Sequence, residues 1–140
     1  MPVWCPYNSR DIHTIEKVQR RTTRIPFGRE RPKYEERCRV FGIDSLEVRR
    51  KRGDLIQKFK LFKGIDRVEW YAEQLIIPSM YGRRATPRRE IVKGCDQRHY
   101  FFNNRVVNDW NELPDSLIDA STTNIFKKEL DNFNFIKSKY

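Results

Sequence analysis

Apolar side chains recur at the spacing of an α-helix in several separate segments of this chain, and proline or glycine stands between those segments. Ile12, Ile15 and Val18 follow one another at three-residue steps, while Phe102 and Val106 are four residues apart. Because 3.6 residues complete a helical turn, such steps place apolar side chains on one helix face. The pattern therefore predicts a mainly α fold: a single small helical domain of about five helices that takes in all 140 residues.

Capping residues and helix breakers divide the chain into the five predicted helices. Ser9 and Ser45 are candidate N-caps, because a serine hydroxyl accepts a hydrogen bond from a free N–H group of the first turn. Gly42 is a candidate C-cap, and Pro114 ends the fourth helix because proline cannot continue it. The predicted helices run from Ser9 to Arg24, from near Pro32 to Gly42, from Ser45 to Gly64, from Tyr100 to Pro114 and from about Ser121 onward.

The last three predicted helices supply the expected hydrophobic core. Their apolar faces consist of Leu55, Ile56, Phe59 and Phe62, then Phe102, Val106, Trp110 and Leu113, then Phe126, Leu130 and Phe133. An apolar helix face of this width is stable in water only when another element covers it. We therefore expect these side chains to pack against one another rather than to bind a ligand.

Residues 65–98 lack helical periodicity, and we expect them to form an irregular basic connector within the domain. Two short apolar runs, Leu75–Ile77 and Ile91–Val92, are compatible with a short β-hairpin near residues 74–93. The stretch Tyr81–Arg89 lies between the two runs and contains four arginines. Because a loop of this composition has few side chains to bury, it is a candidate contact surface.

The positive charge of the chain is unevenly distributed. The formal net charge is +10, and residues 1–64 contain 17 basic and 8 acidic side chains. Residues 83–98 are the other basic stretch, with 6 basic and 2 acidic side chains. Most of the cations are arginines, whose planar guanidinium matches phosphate oxygens and stacks on bases. This distribution favours nucleic-acid binding, since each lysine or arginine that displaces a condensed counterion adds affinity.

The candidate nucleic-acid contacts lie in three places. The first predicted helix carries a row of cations beside its apolar face, and the third helix begins with four consecutive cations that span more than one turn. Like charges so close together repel unless anions lie nearby. The candidates are Lys17, Arg20, Arg21 and Arg24, then Arg49, Arg50, Lys51 and Arg52, then Arg83, Arg84, Arg88 and Arg89.

No complete active site is present in the sequence. Two-metal polymerases and nucleases need neighbouring carboxylates, yet no two aspartates are adjacent in this chain. A phosphate-binding glycine loop and the common hydrolase motifs are also absent. We therefore predict no catalytic residue, no cofactor and no metal site. A zinc set formed by Cys5, His13, Cys95 and His99 is the less favoured alternative, since the three cysteines form no CxxC pair.

The compartment is expected to be intracellular, either nuclear or cytoplasmic. The longest aliphatic run is Leu75–Ile77, far short of the roughly 18 residues that a spanning helix needs. The first residues do not show the basic-then-apolar pattern of a secretory leader. We therefore expect no membrane partner.

Several blocks, in order, resemble the segment that follows the polymerase palm in reverse transcriptases of non-LTR (LINE-type, jockey-like) retrotransposons. The resemblance covers nearly the whole chain, and each block alone is weak, whereas the ordered set is specific. The blocks are Pro2-Val3-Trp4 with Pro6, Ile15–Pro26, Tyr34–Arg37, Ser45–Ile56, Phe101-Phe102 with Arg105–Val107, Trp110-Asn111 with Leu113-Pro114, and Phe126–Lys128 with Leu130-Asp131. The middle of the chain departs from the family pattern, because Tyr81–Arg84 is only a loose counterpart of the family's Thr-Arg-Gly-type element.

The resemblance implies a thumb and post-thumb region whose helices hold a template–primer duplex beside a catalytic palm. By matching position, Lys17, Arg20, Arg21, Arg24 and the run Arg49–Arg52 would face RNA or an RNA–DNA duplex. Met1 falls after the point where the palm and its paired aspartates would end, which implies a truncated copy. Divalent metal would then belong to the missing palm, which could act in cis or in trans.

Two function classes therefore stand side by side. The preferred hypothesis is a nucleic-acid-binding fragment of a reverse transcriptase (an RNA-directed DNA polymerase) that holds template–primer through phosphate contacts and has no catalytic centre of its own. The alternative is an inert or structural remnant, or a protein-interaction module, whose apolar faces docked on the missing palm. Binding to heparin or RNA favours the first hypothesis, whereas aggregation without such binding favours the second.

Overall fold

A computed structural model describes residues 5–30, 32–69, 74, 76–77 and 85–137, with side chains as far as residue 134. The chain divides into two compact units: the first unit ends at Lys51 and the second begins at Arg52. The described residues form eight α-helices and one two-stranded antiparallel sheet. The prediction of a mainly α fold with a short hairpin is therefore confirmed.

The first unit contains α1 (Ser9–Thr22), a 3-10 turn (Ile25–Phe27) and α2 (Tyr34–Phe41). Helix α3 (Leu46–Phe62) includes the boundary between the units. The second unit continues with β1 (Ile76–Ile77), β2 (Thr86–Pro87), α4 (Asp96–His99), α5 (Phe102–Arg105), α6 (Val107–Asn111), α7 (Asp115–Ile118) and α8 (Thr123–Lys137). Among the described residues, no helix is both long and apolar enough to cross a membrane.

The helix ends of the first unit follow the predicted caps with one correction. The N-cap of α1 is Asn8 rather than Ser9, since the Asn8 side chain accepts a hydrogen bond of 3.1 Å from the backbone N–H of Arg10. Gly42 ends α2 in the left-handed conformation, with φ of 60°. Ser45 caps α3, because its hydroxyl oxygen accepts a bond of 3.3 Å from the Val48 N–H.

The hairpin forms with a different second strand from the predicted one. Ile76 pairs with Pro87 and Ile77 pairs with Thr86, so the prediction of a strand at Ile91–Val92 is wrong. The reason lies one residue earlier, at Glu90. Its backbone N–H donates to Asn104 Oδ1 at 2.7 Å, and its carbonyl accepts from Asn104 Nδ2 at 3.2 Å. The Asn104 amide thus takes the backbone bonds that a neighbouring strand would have used.

The core of the second unit is built from the predicted apolar faces. Phe59 of α3 and Phe126 of α8 are both fully buried, and their rings stack with centroids 4.2 Å apart. The remaining members are Leu55, Phe102, Val106, Trp110, Leu113, Leu117, Ile118, Ala120 and Leu130, with Ile56, Leu61 and Phe133 packed against them. The predicted core residue Phe62 is wrong, since its side chain is 57% exposed near the end of α3.

The fourth predicted helix, Tyr100 to Pro114, is divided in the structure. Its residues form the short helices α5 and α6, with Val106 between them. The predicted apolar face is nevertheless buried, since Phe102, Val106 and Trp110 all lie in the core. Helix α6 ends at Asn111, three residues before the predicted end at Pro114, and Pro114 is the N-cap of α7.

Two buried charged groups on α3 lie one turn apart in the second unit. Asp54 accepts two hydrogen bonds from the Arg105 guanidinium, at 2.8 and 2.9 Å, and both side chains are largely buried. Lys58 donates from Nζ to Gln74 Oε1, and Gln74 in turn donates to the Asn103 carbonyl at 3.2 Å. Asp54 thus has a cation partner, whereas the Lys58 ammonium meets only an amide oxygen in the described part of the chain.

The burial of Lys58 predicts an unusual rise of stability with pH. Burial lowers the pKa of Lys58 from 10.5 to about 8, so between these values the unfolded state binds more protons than the folded state. The contribution of Lys58 to stability is therefore lowest below pH 8 and increases as the pH rises towards 10.5. We expect the free energy of unfolding to increase by about 2 kcal/mol between pH 7 and 9.5.

Urea denaturation of the full chain at these two pH values measures this rise, and Lys58→Met is the matched control. Methionine keeps most of the volume and removes the charge, so the variant is expected to lose the rise and to be more stable than the wild type at pH 7. A wild-type chain whose stability changes with pH in parallel with Lys58→Met would contradict the assignment.

Candidate nucleic-acid interface

Helix α1 arranges four cations in one exposed row, which we name the α1 stripe: Arg10, Lys17, Arg21 and Arg24. At about 100° per residue these positions fall within an arc of roughly 60°, and at 1.5 Å per residue they extend over about 21 Å. Arg24 follows the end of α1, but its backbone stays in the helical region, with φ of −81° and ψ of −29°. All four side chains are exposed, and within the described part of the chain none of them forms an ion pair.

Arg10 was not among the predicted contacts, although its spacing from Lys17 in the sequence indicates a shared helix face. Arg10 precedes Lys17 by seven residues, which is two helical turns, so the two side chains share a face. Arg10 lies in the first turn of α1, which is capped by Asn8.

Arg20 lies beside the α1 stripe and contacts an aromatic ring. Its guanidinium carbon is 4.8 Å from the centroid of the Tyr34 ring, within the range of a cation–π contact. The guanidinium of Arg37 is 5.7 Å from the same centroid. This arrangement fixes Arg20 more firmly than the exposed cations of the stripe.

Arg37 is a buried cation that was not among the predicted contacts. Its guanidinium donates to the carbonyls of Pro32 and Arg20, at 2.5 and 3.4 Å, and to the Thr23 hydroxyl at 3.3 Å. In the described residues its partners are therefore neutral oxygens rather than carboxylates. Its charge remains uncompensated locally and adds to the positive potential of the first unit.

The inner side of α1 is held by polar contacts. Glu16 accepts hydrogen bonds from the Tyr34 hydroxyl and from the Leu46 N–H, the latter at 3.2 Å. Gln19 Nε2 lies 2.9 Å from both the Tyr34 hydroxyl oxygen and the Asp44 carbonyl oxygen. Burial and the hydrogen bond to Glu16 raise the pKa of Tyr34. Consistent with this polar side, α1 buries no residue, and Val18, on the apolar face predicted for this helix, is 64% exposed.

The four cations at the start of α3 have different environments. Arg49 and Lys51 are exposed, and Lys51 pairs with Glu47 at 3.2 Å while both remain in solvent. Arg50 is half-buried. Arg52 donates two hydrogen bonds to Asp131, at 2.6 and 2.8 Å, and these bonds lower the pKa of the Asp131 carboxyl. Arg52 is thus engaged by an acidic partner, whereas Arg49 forms no ion pair in the described residues.

The structure describes two of the four arginines that were predicted as contacts in the basic connector. Arg83 and Arg84 lie outside the described residues. Arg88 is exposed, whereas Arg89 is half-buried and its Nη2 is 2.7 Å from His99 Nε2. Arg89 Nε is buried without a hydrogen-bond partner in the described part of the chain. Of the two predicted contacts that the structure describes here, Arg88 is the one whose exposure suits a phosphate contact.

The described residues contain no group of three or more histidine, cysteine, aspartate or glutamate side chains that could hold a metal ion. Comparison with protein-family models, with curated proteins and with solved structures returns no match to this chain. The first unit has an exposed row of cations on α1 that form no ion pair with any residue the structure describes.

Proposed function

We propose that this chain binds nucleic acid through phosphate contacts made by the α1 stripe and Arg20, as a thumb-like segment of the non-LTR reverse transcriptases that it resembles. The supporting observation is the row of exposed cations on α1 without acidic partners among the described residues. In this proposal the chain holds RNA or an RNA–DNA duplex and supplies no catalytic group. Chemistry would belong to a palm domain present in cis or in trans.

The α1 stripe and Arg20 together provide five exposed cations for phosphate contacts. Four stripe cations and Arg20 can thus meet about five phosphates, which predicts a slope of log affinity against log salt near −4 to −5. Because phosphate contacts carry no base information, the binding is expected to be independent of sequence.

The triple variant Lys17→Gln/Arg21→Gln/Arg24→Gln tests the proposal. We expect weaker binding to RNA and to RNA–DNA duplexes alike, and a salt slope that is smaller by about 3. The measurement is fluorescence anisotropy of the full chain with labelled nucleic acid over about 50 to 200 mM KCl.

The matched control is Arg67→Gln/Lys93→Gln/Lys128→Gln, which removes three exposed cations of the second unit and gives the same net charge. This control is expected to keep most of the wild-type slope. Equal losses in the two triple variants would show that net charge alone drives binding, and a wild-type affinity that ignores salt would overturn the proposal.

A second candidate function rests on the exposed apolar side chains. In the first unit Val18, Ile25 and Val40 are 64%, 73% and 69% exposed, and in the second unit Ile91 is 80% exposed. Such side chains suit a structural remnant or an interaction module that docks on a palm domain. Aggregation of the purified chain, together with no retention on heparin or RNA, would favour this function over nucleic-acid binding.

A further inference from the structure

A groove of about 610 Å³ opens in the first unit, between α1, α2 and the residues that lead into α3. We name it the first-unit groove. Its floor contains the apolar side chains Ile12, Cys38 and Ile43. Because its volume lies within the range of small-molecule sites, a ligand of nucleotide size fits it.

The first-unit groove carries opposite charges on its two sides. On the α1 side lie His13, Lys17 and Arg20, which follow one another at four- and three-residue steps and so share a face. On the side of residues 44–47 lie the carboxylates of Asp44 and Glu47, and the lining also includes Glu16 of α1 and Glu35 and Arg39 of α2. A ligand that matches both sides needs an anionic group at one end and hydrogen-bond donors at the other.

The charges that face the groove are available to a ligand. Within the described part of the chain, the His13, Lys17 and Asp44 side chains form no ion pair or hydrogen bond. Glu47 pairs only with Lys51 in solvent, a contact of small energy. Glu16, in contrast, is already used by the Tyr34 hydroxyl and the Leu46 N–H.

The contacts at the amino end of α3 indicate which side of the groove binds an anion. The amino end of α3 would ordinarily attract a phosphate, but Ser45 and Glu16 already accept hydrogen bonds from its N–H groups. The carboxylates of Asp44 and Glu47 also repel an anion there. An anionic group is therefore directed to Lys17 and Arg20 on α1, where Lys17 also belongs to the α1 stripe.

We propose that the first-unit groove binds a 5′-phosphorylated ribonucleoside with a free 2′,3′-diol, its phosphate on Lys17 and Arg20 and its diol on Asp44. Ribose hydroxyls donate hydrogen bonds to carboxylates, and the apolar floor accepts the base. An internal nucleotide would place a second phosphate beside the carboxylates, so the ligand is a chain end or a free nucleotide. If the ligand is the 3′ end of an RNA, this inference rests on the proposed nucleic-acid binding. If the ligand is a free nucleotide, the inference does not depend on that binding.

Three labelled RNA oligonucleotides that differ only at the 3′ end test the inference in anisotropy titrations with the full chain. They end in a 2′,3′-diol, in a 2′,3′-dideoxynucleotide or in a 3′-phosphate. We expect the diol end to bind about tenfold more tightly than the other two, because they lose hydrogen bonds to a charged acceptor or add a repelled phosphate. Equal affinity for the three ends would show that an RNA 3′ end is not the ligand of the groove, while a steep salt slope in the same titrations would leave the proposed function standing.

The variant Asp44→Asn is expected to lose most of the preference for the diol end. The matched control Asp11→Asn makes the same chemical change on α1 outside the groove and should keep the preference. If Asp44→Asn bound the three ends as the wild type does, the assignment of the diol to Asp44 would be wrong. Far-UV circular dichroism of both variants verifies that they fold.

Titration with adenosine 5′-monophosphate separates the two sources of the ligand, with shifts of the His13 ring protons as the readout. Shifts that saturate, together with displacement of the diol-ended RNA, indicate that a free nucleotide suffices. A diol-end preference without such shifts assigns the groove to RNA ends. No shifts together with no diol-end preference would overturn the inference, and the absence of salt-dependent RNA binding would separately overturn the proposed function.

Discussion

Replacing Phe59 by alanine is expected to destabilise the second unit by about 3–5 kcal/mol. The Phe59 side chain is fully buried and stacks on Phe126, whose ring is in turn 6.3 Å from that of Trp110. Removing the Phe59 ring leaves a cavity among aromatic side chains, and their rigid rings cannot collapse to fill it. Urea denaturation of the full chain followed by far-UV circular dichroism measures the loss.

Phe62→Ala is the matched control for Phe59→Ala. Both variants replace a phenylalanine of α3 by alanine, so the two substitutions change the intrinsic helix propensity by the same amount. They differ in burial, because Phe62 is 57% exposed whereas Phe59 is fully buried. Phe62 does contact the Trp110 ring, with centroids 5.7 Å apart, so a loss of about 1 kcal/mol is expected. Similar losses in the two variants would contradict the observed core.

The sequence predicted the second-unit core well because helical periodicity determines which side chains share a face. Phe59, Trp110 and Phe126 were all identified in this way, and all three are buried. Periodicity does not determine how far a covering element extends along that face. Phe62 was therefore placed in the core although it is the last residue of α3 and lies largely in solvent.

Local patterns predicted less of the hairpin and of the domain organisation. The second strand was placed at Ile91–Val92, because a sequence pattern cannot show that the Asn104 side chain, fourteen residues from Glu90, binds the Glu90 backbone. The chain divides into two compact units between Lys51 and Arg52, inside α3, and Gly53 directly after this point does not interrupt the helix. The single domain of 140 residues stays a prediction.

The candidate site was predicted in part. Lys17, Arg21 and Arg24 follow from the charge pattern of one helix, and the structure places them in one exposed row. The environment of Arg52 could not be inferred in this way, because its partner Asp131 is 79 residues away in the sequence. Charge patterns therefore identify cations that share a helix face, while long-range pairing decides which of them remain open to a ligand.

Asp54→Asn is expected to destabilise the second unit by about 3–5 kcal/mol, as is typical when one partner of a buried ion pair is removed. The Arg105 guanidinium loses the Asp54 carboxylate as an acceptor, although its side chain remains only 15% exposed. Water therefore replaces the lost interaction poorly, and the cost is that of removing one partner from a buried ion pair. Urea denaturation at neutral pH measures the change.

Asp131→Asn is the matched comparison, because it removes the carboxylate from an ion pair of similar geometry in solvent. Asp131 and Arg52 are 52% and 34% exposed, so this change is expected to cost at most about 1 kcal/mol. The double variant Asp54→Leu/Arg105→Met should recover most of the stability that Asp54→Asn loses, since well-packed apolar side chains avoid the desolvation of two charges. Equal costs for Asp54→Asn and Asp131→Asn would show that burial does not set the energy of these pairs, and Asp54 would then have no special role in joining α3 to α5.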